Sequence, residues 1–234
     1  MRVAVVVFPG TNCEYDVAHA LGLIGLDAEL VFHKEKNLSG FDAVVLPGGF
    51  AHGDYLRTGA IARFSPIMRP VAAMAAAGAP VIGICNGFQV LCEAGLLPGA
   101  LVANRDVSFI CRPVHVRVES ARSALTAAVA PGAVLRIPLN SYEGNYVAAA
   151  ETVGALEANG QVLLRYCDGS GAVSERANPN GSMGNIAGIC NEAGNVAGLM
   201  PHPERAVEAV LGSTDGVRLL QSIPKFASLV ANPR

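Results

Sequence analysis

Val81-Ile82-Gly83-Ile84-Cys85-Asn86-Gly87-Phe88-Gln89 is the stretch that decides the fold. Val81–Ile84 is a short, continuous apolar run of the kind that suits a strand covered on both faces. Gly83 and Gly87 bracket a sharp turn at Cys85, and from Gly87 to Ala94 the apolar residues fall at helical spacing. A buried strand that turns abruptly into a helix is a unit of parallel α/β architecture.

Upstream, the same alternation repeats. Arg2–Phe8 is a valine-rich apolar run, ended by the turn Pro9-Gly10-Thr11-Asn12. Cys13–Ile24 carries apolar residues at helical spacing and stops at Gly25. Ala28–Phe32 and Ala43–Leu46 read as the second and third strands, the latter ending in Pro47-Gly48-Gly49-Phe50. Ile61–Ala77 is expected to be helical, divided by Pro66 or Pro70. Downstream the pattern changes. Val114–Val118, Val134–Leu139, Val162–Tyr166, Ile186–Cys190 and Asn195–Met200 are short strands, the last two joined by a hairpin turn at Asn191-Glu192-Ala193-Gly194. Antiparallel strands added to a parallel core fit this order. Val207–Ile223 reads as an interrupted closing helix. One domain over 1–225 and a loosely attached tail over 226–234 are expected.

Composition sets the outer limits. The chain has 234 residues, 51% of them hydrophobic and 15% charged, which excludes disorder as the main state. It has no tryptophan, so small and branched aliphatic side chains must fill the core. The formal net charge is -2. Without a basic stripe, nucleic-acid binding has no support. The six cysteines form no CxxC pair and no compact disulfide framework; they read as reduced thiols in a cytoplasmic protein. The N-terminal run reads as a strand, not a signal peptide, and the longest apolar stretch, Val71 to Ile84, is broken by Gly78 and Pro80. No membrane association is expected.

The chemistry centres on Cys85. A cysteine on a strained strand-to-helix turn is the thiol version of the nucleophile elbow. The free N–H groups and dipole of the helix N-terminus favour its thiolate, the form that attacks carbonyl carbon. For Cys13, Cys92, Cys111, Cys167 and Cys190, burial as small apolar side chains is the simpler reading. Among the histidines, His19, His33, His52 and His115 read as surface or satisfied core residues. His202 differs. Met200-Pro201-His202-Pro203-Glu204 follows a strand, and its prolines hold an extended loop in which Glu204 faces the same way as His202. A carboxylate there can orient the ring toward a thiol. The N–H groups of Gly48 and Gly49, at the same sheet edge, with that of Asn86, are candidate oxyanion donors.

The order Gly-Gly, elbow cysteine, His-x-Glu resembles the class I (triad) glutamine amidotransferases over nearly the whole chain. Phe8–Glu14 with Asp16, Gly48–Ala62, Gly83–Gln89, Asn104-Arg105 with Ser108 and Cys111, and Met200–Arg205 are similar to one branch. That branch supplies ammonia to an ATP-dependent synthase of de novo purine biosynthesis. The resemblance implies a three-layer α/β/α, flavodoxin-like domain with a mostly parallel central sheet. It implies a Cys85–His202–Glu204 triad and a γ-glutamyl thioester. Gly49, Asn86 and Gly48 would hold the oxyanion; Gln89, Ser108 and Phe109 would grip the amino-acid end of glutamine. It also implies a separate synthetase subunit that binds ATP and magnesium, and a small bridging subunit. No cofactor or metal is expected in this chain, which has no Gly-rich Lys-Ser/Thr phosphate loop. Members often carry Ala-His-Gly-Glu-Gly where this chain has Asn140-Ser141-Tyr142-Glu143-Gly144. The competing readings are a subunit of another ammonia-using synthase, a stand-alone cysteine hydrolase, and a non-catalytic scaffold of the same fold.

Overall fold

The computed structural model describes residues 1–231. In chain order its elements are β1 (Arg2–Val7), α1 (Glu14–Leu23), β2 (Asp27–Phe32), β3 (Ala43–Leu46), α2 (Met68–Ala76), β4 (Val81–Ile84) and α3 (Asn86–Glu93). There follow β5 (Ala100–Val102), β6 (Ile110–Val118), β7 (Val134–Ser141), β8 (Asn145–Val147), α4 (Ala150–Ala158) and β9 (Val162–Cys167). The chain continues through β10 (Ile186–Cys190), β11 (Val196–Leu199), α5 (Asp215–Leu220) and α6 (Ser222–Ala231).

One nine-stranded sheet runs in the order β2-β1-β3-β4-β11-β10-β9-β6-β7. From β2 to β11 every pairing is parallel; from β11 to β7 every pairing is antiparallel. The parallel half has the flavodoxin-like order, with its return strand supplied by β11. β1, β3, β4 and β11 are buried almost throughout, as their unbroken apolar runs require. Because β1-to-β2 and β3-to-β4 step in opposite directions, right-handed crossovers put α1 and α2 on opposite faces. α5 packs with α1, and α3 packs on β3, β4 and β11. β5 and β8 form a separate two-stranded ribbon.

Two close approaches depend on glycine. An ideal β-carbon on Gly83 would lie 2.6 Å from the backbone of Gly87, and one on Gly87 would overlap the carbonyl of Leu46. Their absence lets α3 lie directly on β3 and β4, so that its first turn starts at the sheet edge.

The expected helix over Ile61–Ala77 is broken: a 3₁₀ turn at Ala62–Phe64 precedes α2, with Pro66 between them and Pro70 accommodated inside α2 near its start. The stretch from 226 expected as a tail is instead helical through Ala231, with Ile223 and Phe226 buried. Residues 232–234 of that stretch lie outside the described residues. The hairpin between β10 and β11 forms as expected, closed by Asn191 N–H donating to the Val196 carbonyl at 2.9 Å. All six cysteines are free thiols. No helix among the described residues is long and apolar enough to cross a membrane.

Candidate active site

Sheet register assembles the site. β4 lies between β3 and β11 and is parallel to both, so their C-terminal ends reach one edge. Ile84 pairs with Leu199, and the Cys85 N–H donates to the Leu199 carbonyl at 2.8 Å. The segments that follow are Gly48-Gly49 after β3, Cys85 after β4 and His202 after β11. Ligand clefts of open α/β sheets form outside these carboxyl ends.

Cys85 sits at φ 51°, ψ -107°, immediately before α3. A non-glycine residue rarely holds a positive φ, and this one is fixed by the strand on one side and the helix on the other. Its side chain is almost fully buried, with Sγ 3.5 Å from the Asn140 carbonyl.

The His-Pro-Glu segment is tighter than an extended loop. Pro203–Arg205 forms a single 3₁₀ turn, anchored on β7 by the His202 N–H donating to the Pro138 carbonyl at 2.8 Å. His202 and Glu204 still meet: Nδ1 and Glu204 Oε1 are 2.6 Å apart, both side chains fully buried. With a carboxylate accepting, Nδ1 carries the proton. Nε2 is buried without a partner. Burial pushes the ring toward neutrality, but the charge of Glu204, followed by that of Cys85, outweighs it and raises the imidazole well above its ordinary value. The arrangement favours a buried imidazolium at His202. Gly48 makes room for this ring; a β-carbon there would lie 2.7 Å from His202 Cε1 and 3.1 Å from Cys13 Sγ.

Cys85 and His202 line one cavity of about 280 Å³. Gly49, Gln89 and Phe109 also line it. Asn86 begins α3 below it, and its side-chain Oδ1 accepts from the Ala51 N–H at 3.0 Å, tying the Gly-Gly loop to the elbow. Gly48 and Ser108 are not on the cavity wall; the Ser108 carbonyl accepts from Asn104 Nδ2 at 2.9 Å.

Several wall residues were not read as site residues from sequence. Asp54, Thr58, Asn140, Ser141, Glu143 and Arg205 all reach the cavity. Cys13, expected to be an ordinary buried thiol, lies with Sγ 4.0 Å from His202 Nδ1 and accepts from Arg205 Nη2 at 3.3 Å. Arg205 also pairs with Asp16 at 3.1 Å. The adjacency of Arg205 to Glu204 was the available signal for this group. Cys13, His202 and Glu204 offer ligand atoms within 4.8 Å of one another, a spacing compatible with a metal ion. Of these atoms, Cys13 Sγ accepts from the Arg205 cation and Glu204 Oε1 holds His202 Nδ1, while Glu204 Oε2 and His202 Nε2 have no partner. A larger groove of about 960 Å³, lined by Lys36, Arg63, Phe64 and Arg69 among others, holds no cysteine or histidine.

Comparison with known proteins agrees with this geometry. Residues 1–218 match the family model described as the CobB/CobQ-like glutamine amidotransferase domain. A phosphoribosylformylglycinamidine synthase subunit PurQ from Thermomicrobium roseum is 55% identical over 99% of this chain and 99% of its own. The protein of the same description from Salinibacter ruber is 52% identical over 98% of each chain. A chain in the structure of PurLQS from Thermotoga maritima superposes with a TM-score of 0.86 at 42% identity, covering 96% of this chain and 98% of that one.

Proposed function

This chain belongs to the CobB/CobQ-like glutamine amidotransferase family, and from that membership we propose that it is the glutaminase subunit of a phosphoribosylformylglycinamidine synthase in de novo purine biosynthesis. Near-complete coverage of relatives so described supports the subunit assignment. The observation that carries the chemistry is the elbow thiol of Cys85 sharing a cavity with a buried His202 whose Nδ1 is held by Glu204.

The residues act in sequence. The Cys85 thiolate attacks the side-chain amide carbon of glutamine. The oxyanion that forms is held by N–H groups of Gly49 and Asn86. His202, protonated at Nε2, gives that proton to the departing nitrogen, and ammonia leaves a γ-glutamyl thioester on Cys85. Water then attacks the thioester, His202 takes its proton, glutamate leaves and the thiolate returns. Glu204 fixes the ring and stabilises its cation throughout. Gln89 and Phe109 contact the amino-acid end.

The ammonia passes to a separate synthetase subunit, where ATP and magnesium activate formylglycinamide ribonucleotide for amidine formation. A small third subunit joins the two, in keeping with the PurLQS relative. The cytoplasm is the compartment that purine synthesis and reduced thiols imply. The test is glutamate release by this chain assembled with its synthetase and small subunits. ATP and formylglycinamide ribonucleotide should accelerate it together, and amidine should form in step with glutamate. Glutamate release indifferent to the partner and to both co-substrates would contradict the subunit assignment.

A further inference from the structure

Behind the His202 ring lies a thiol that glutamine hydrolysis does not use. Cys13, on the loop between β1 and α1, puts its Sγ 4.0 Å from His202 Nδ1, the same ring nitrogen that Glu204 Oε1 meets at 2.6 Å. A thiol, an imidazole and a carboxylate thus converge, with ligand atoms all within 4.8 Å of one another. Among the described residues this is the only group of three or more Cys, His, Asp or Glu side chains so placed. The donor set is that of a borderline-soft divalent ion such as zinc. Zinc bonds of about 2.3 Å to sulfur and about 2.0 Å to nitrogen or oxygen give tetrahedral edges of about 3.5 Å from sulfur to nitrogen and about 3.3 Å from nitrogen to oxygen. Cys13 Sγ and Nδ1 would have to close by about 0.5 Å, and Nδ1 and the carboxylate to part by about 0.7 Å. Both are side-chain adjustments.

Further observations favour a ligand at this cluster. Cys13, His202 and Glu204 are each only 2% exposed, yet Glu204 Oε2 has no hydrogen-bond partner. A buried carboxylate oxygen left unpaired is costly, and a metal ion is one of the few partners that can satisfy it. Gly48 carries no side chain against the cluster; a β-carbon there would lie 3.1 Å from Cys13 Sγ and 3.4 Å from Nδ1. Cys13 and His202 both line the cavity, which supplies an entry path and water for a fourth coordination position. Arg205 donates to Cys13 Sγ at 3.3 Å and opposes a second cation, but its charge is met by Asp16 at 3.1 Å. A divalent ion held by one thiolate and one carboxylate is itself electrically neutral, so the buried cluster would gain no net charge.

We propose that Cys13, His202 and Glu204 form an inhibitory site for a thiophilic divalent ion of the zinc class, which stops hydrolysis by taking His202 Nδ1 away from Glu204. On binding, the proton on Nδ1 leaves to solvent, as does the thiol proton that Cys13 now directs at Asn12 Oδ1, 3.1 Å away. Glu204 then pairs with the metal instead of the ring. The divalent charge beside the imidazole opposes the imidazolium that must form during the reaction. The binding stands on the geometry of the cluster; the inhibition rests on the glutaminase reading above.

Cobalt(II) is the probe for binding, because a thiolate bound to it gives a near-ultraviolet charge-transfer band. One equivalent added to the full chain should raise that band in the wild type and in Cys85→Ala, and zinc should displace the cobalt. Cys13→Ala and Cys13→Ser should lose the band, and Glu204→Gln should bind cobalt at least roughly tenfold more weakly. In the assembled complex, zinc should inhibit glutamate release, and a chelator should restore it. Cys13→Ser should need at least roughly tenfold more zinc for half-inhibition, each protein being scaled to its own metal-free rate. Circular dichroism checks that the Cys13 variants fold; if they do not, Cys85→Ala and Glu204→Gln decide the question by themselves. A band lost in Cys85→Ala and kept in the Cys13 variants would place the metal on the nucleophile and overturn the proposal. So would the absence of a band in the wild type, cobalt affinity unchanged in Glu204→Gln, or equal zinc inhibition of the wild type and Cys13→Ser. A metal-free complex inert toward glutamine would instead sink the glutaminase reading and leave the cobalt result standing by itself.

Discussion

Cys85 holds a left-handed φ of 51°, a conformation that costs a residue with a β-carbon roughly 1–3 kcal/mol and persists where surrounding structure imposes it. Here that structure is β4 hydrogen-bonded to β11 and a helix packed through Gly87. Cys85→Ala should therefore abolish glutamate release while leaving thermal unfolding near that of wild type, measured by calorimetry and a coupled glutamate assay. Glu204 acts through His202. Glu204→Gln should lower kcat roughly 10²- to 10⁴-fold, the range for losing an oriented acid–base group. It should also move the alkaline limb of the kcat/KM profile to lower pH, because the carboxylate charge is what lifts the ring above its ordinary value. The same coupling sets a stability signature. The folded imidazole titrates above its unfolded value of 6.5, so the stabilisation it contributes is complete below that value and is lost as pH rises through the folded one. The stability gap between wild type and Glu204→Gln should narrow on the alkaline side; a gap that widens there would mean the ring is held neutral.

At the scale of elements, the site is a consequence of three parallel strand ends meeting at one edge, spaced by glycines. Gly87→Ala pushes a methyl group into the Leu46 carbonyl and should cost at least about 3 kcal/mol in denaturant unfolding, because the backbone cannot yield as a side chain would. Gly48→Ala crowds His202 Cε1 instead. It should lower kcat by roughly 10- to 100-fold through displacement of the ring, with a smaller loss of stability. The parallel half of the sheet was legible because its strands are unbroken apolar runs and its turns carry Gly and Pro. The rest was hidden for specific reasons. β6 was read as Val114–Val118, yet the strand starts at Ile110 and runs through Pro113, which is tolerated because pairing with β9 begins only at His115 and Pro113 faces β7 alone. α4 buries only Leu156 outright and so has no apolar stripe to read. α6 was masked by Pro224, which falls within its first turn and is tolerated there. Cys85, His202 and Glu204 stood out because local context singled each one out. Asp54, Glu143 and Arg205 did not, since what makes them wall residues is the meeting of loops far apart in sequence.

For the whole molecule, the acid–base pair is buried in this chain alone, while the cavity carries exposed apolar side chains at Phe50, Phe109 and Tyr142. Apolar surface beside a reactive site suits coverage by a partner. The isolated chain should accordingly hydrolyse glutamine slowly, and addition of the synthetase and small subunits with ATP and formylglycinamide ribonucleotide should raise kcat/KM by roughly tenfold or more, the scale of a coupling free energy between sites. Full turnover by the chain alone would contradict that coupling. Two thiols, Cys13 and Cys85, line the cavity, and Cys13 lies 4.0 Å from the histidine, so the chemistry depends on which sulfur becomes acylated. The direct measurement is rapid acid quench of the complex during glutamine turnover, followed by peptide mass spectrometry. A γ-glutamyl increment on the peptide containing Cys85, and none on the peptide containing Cys13, is the predicted result. An increment on Cys13, or steady glutamate release with neither peptide ever modified, would contradict it.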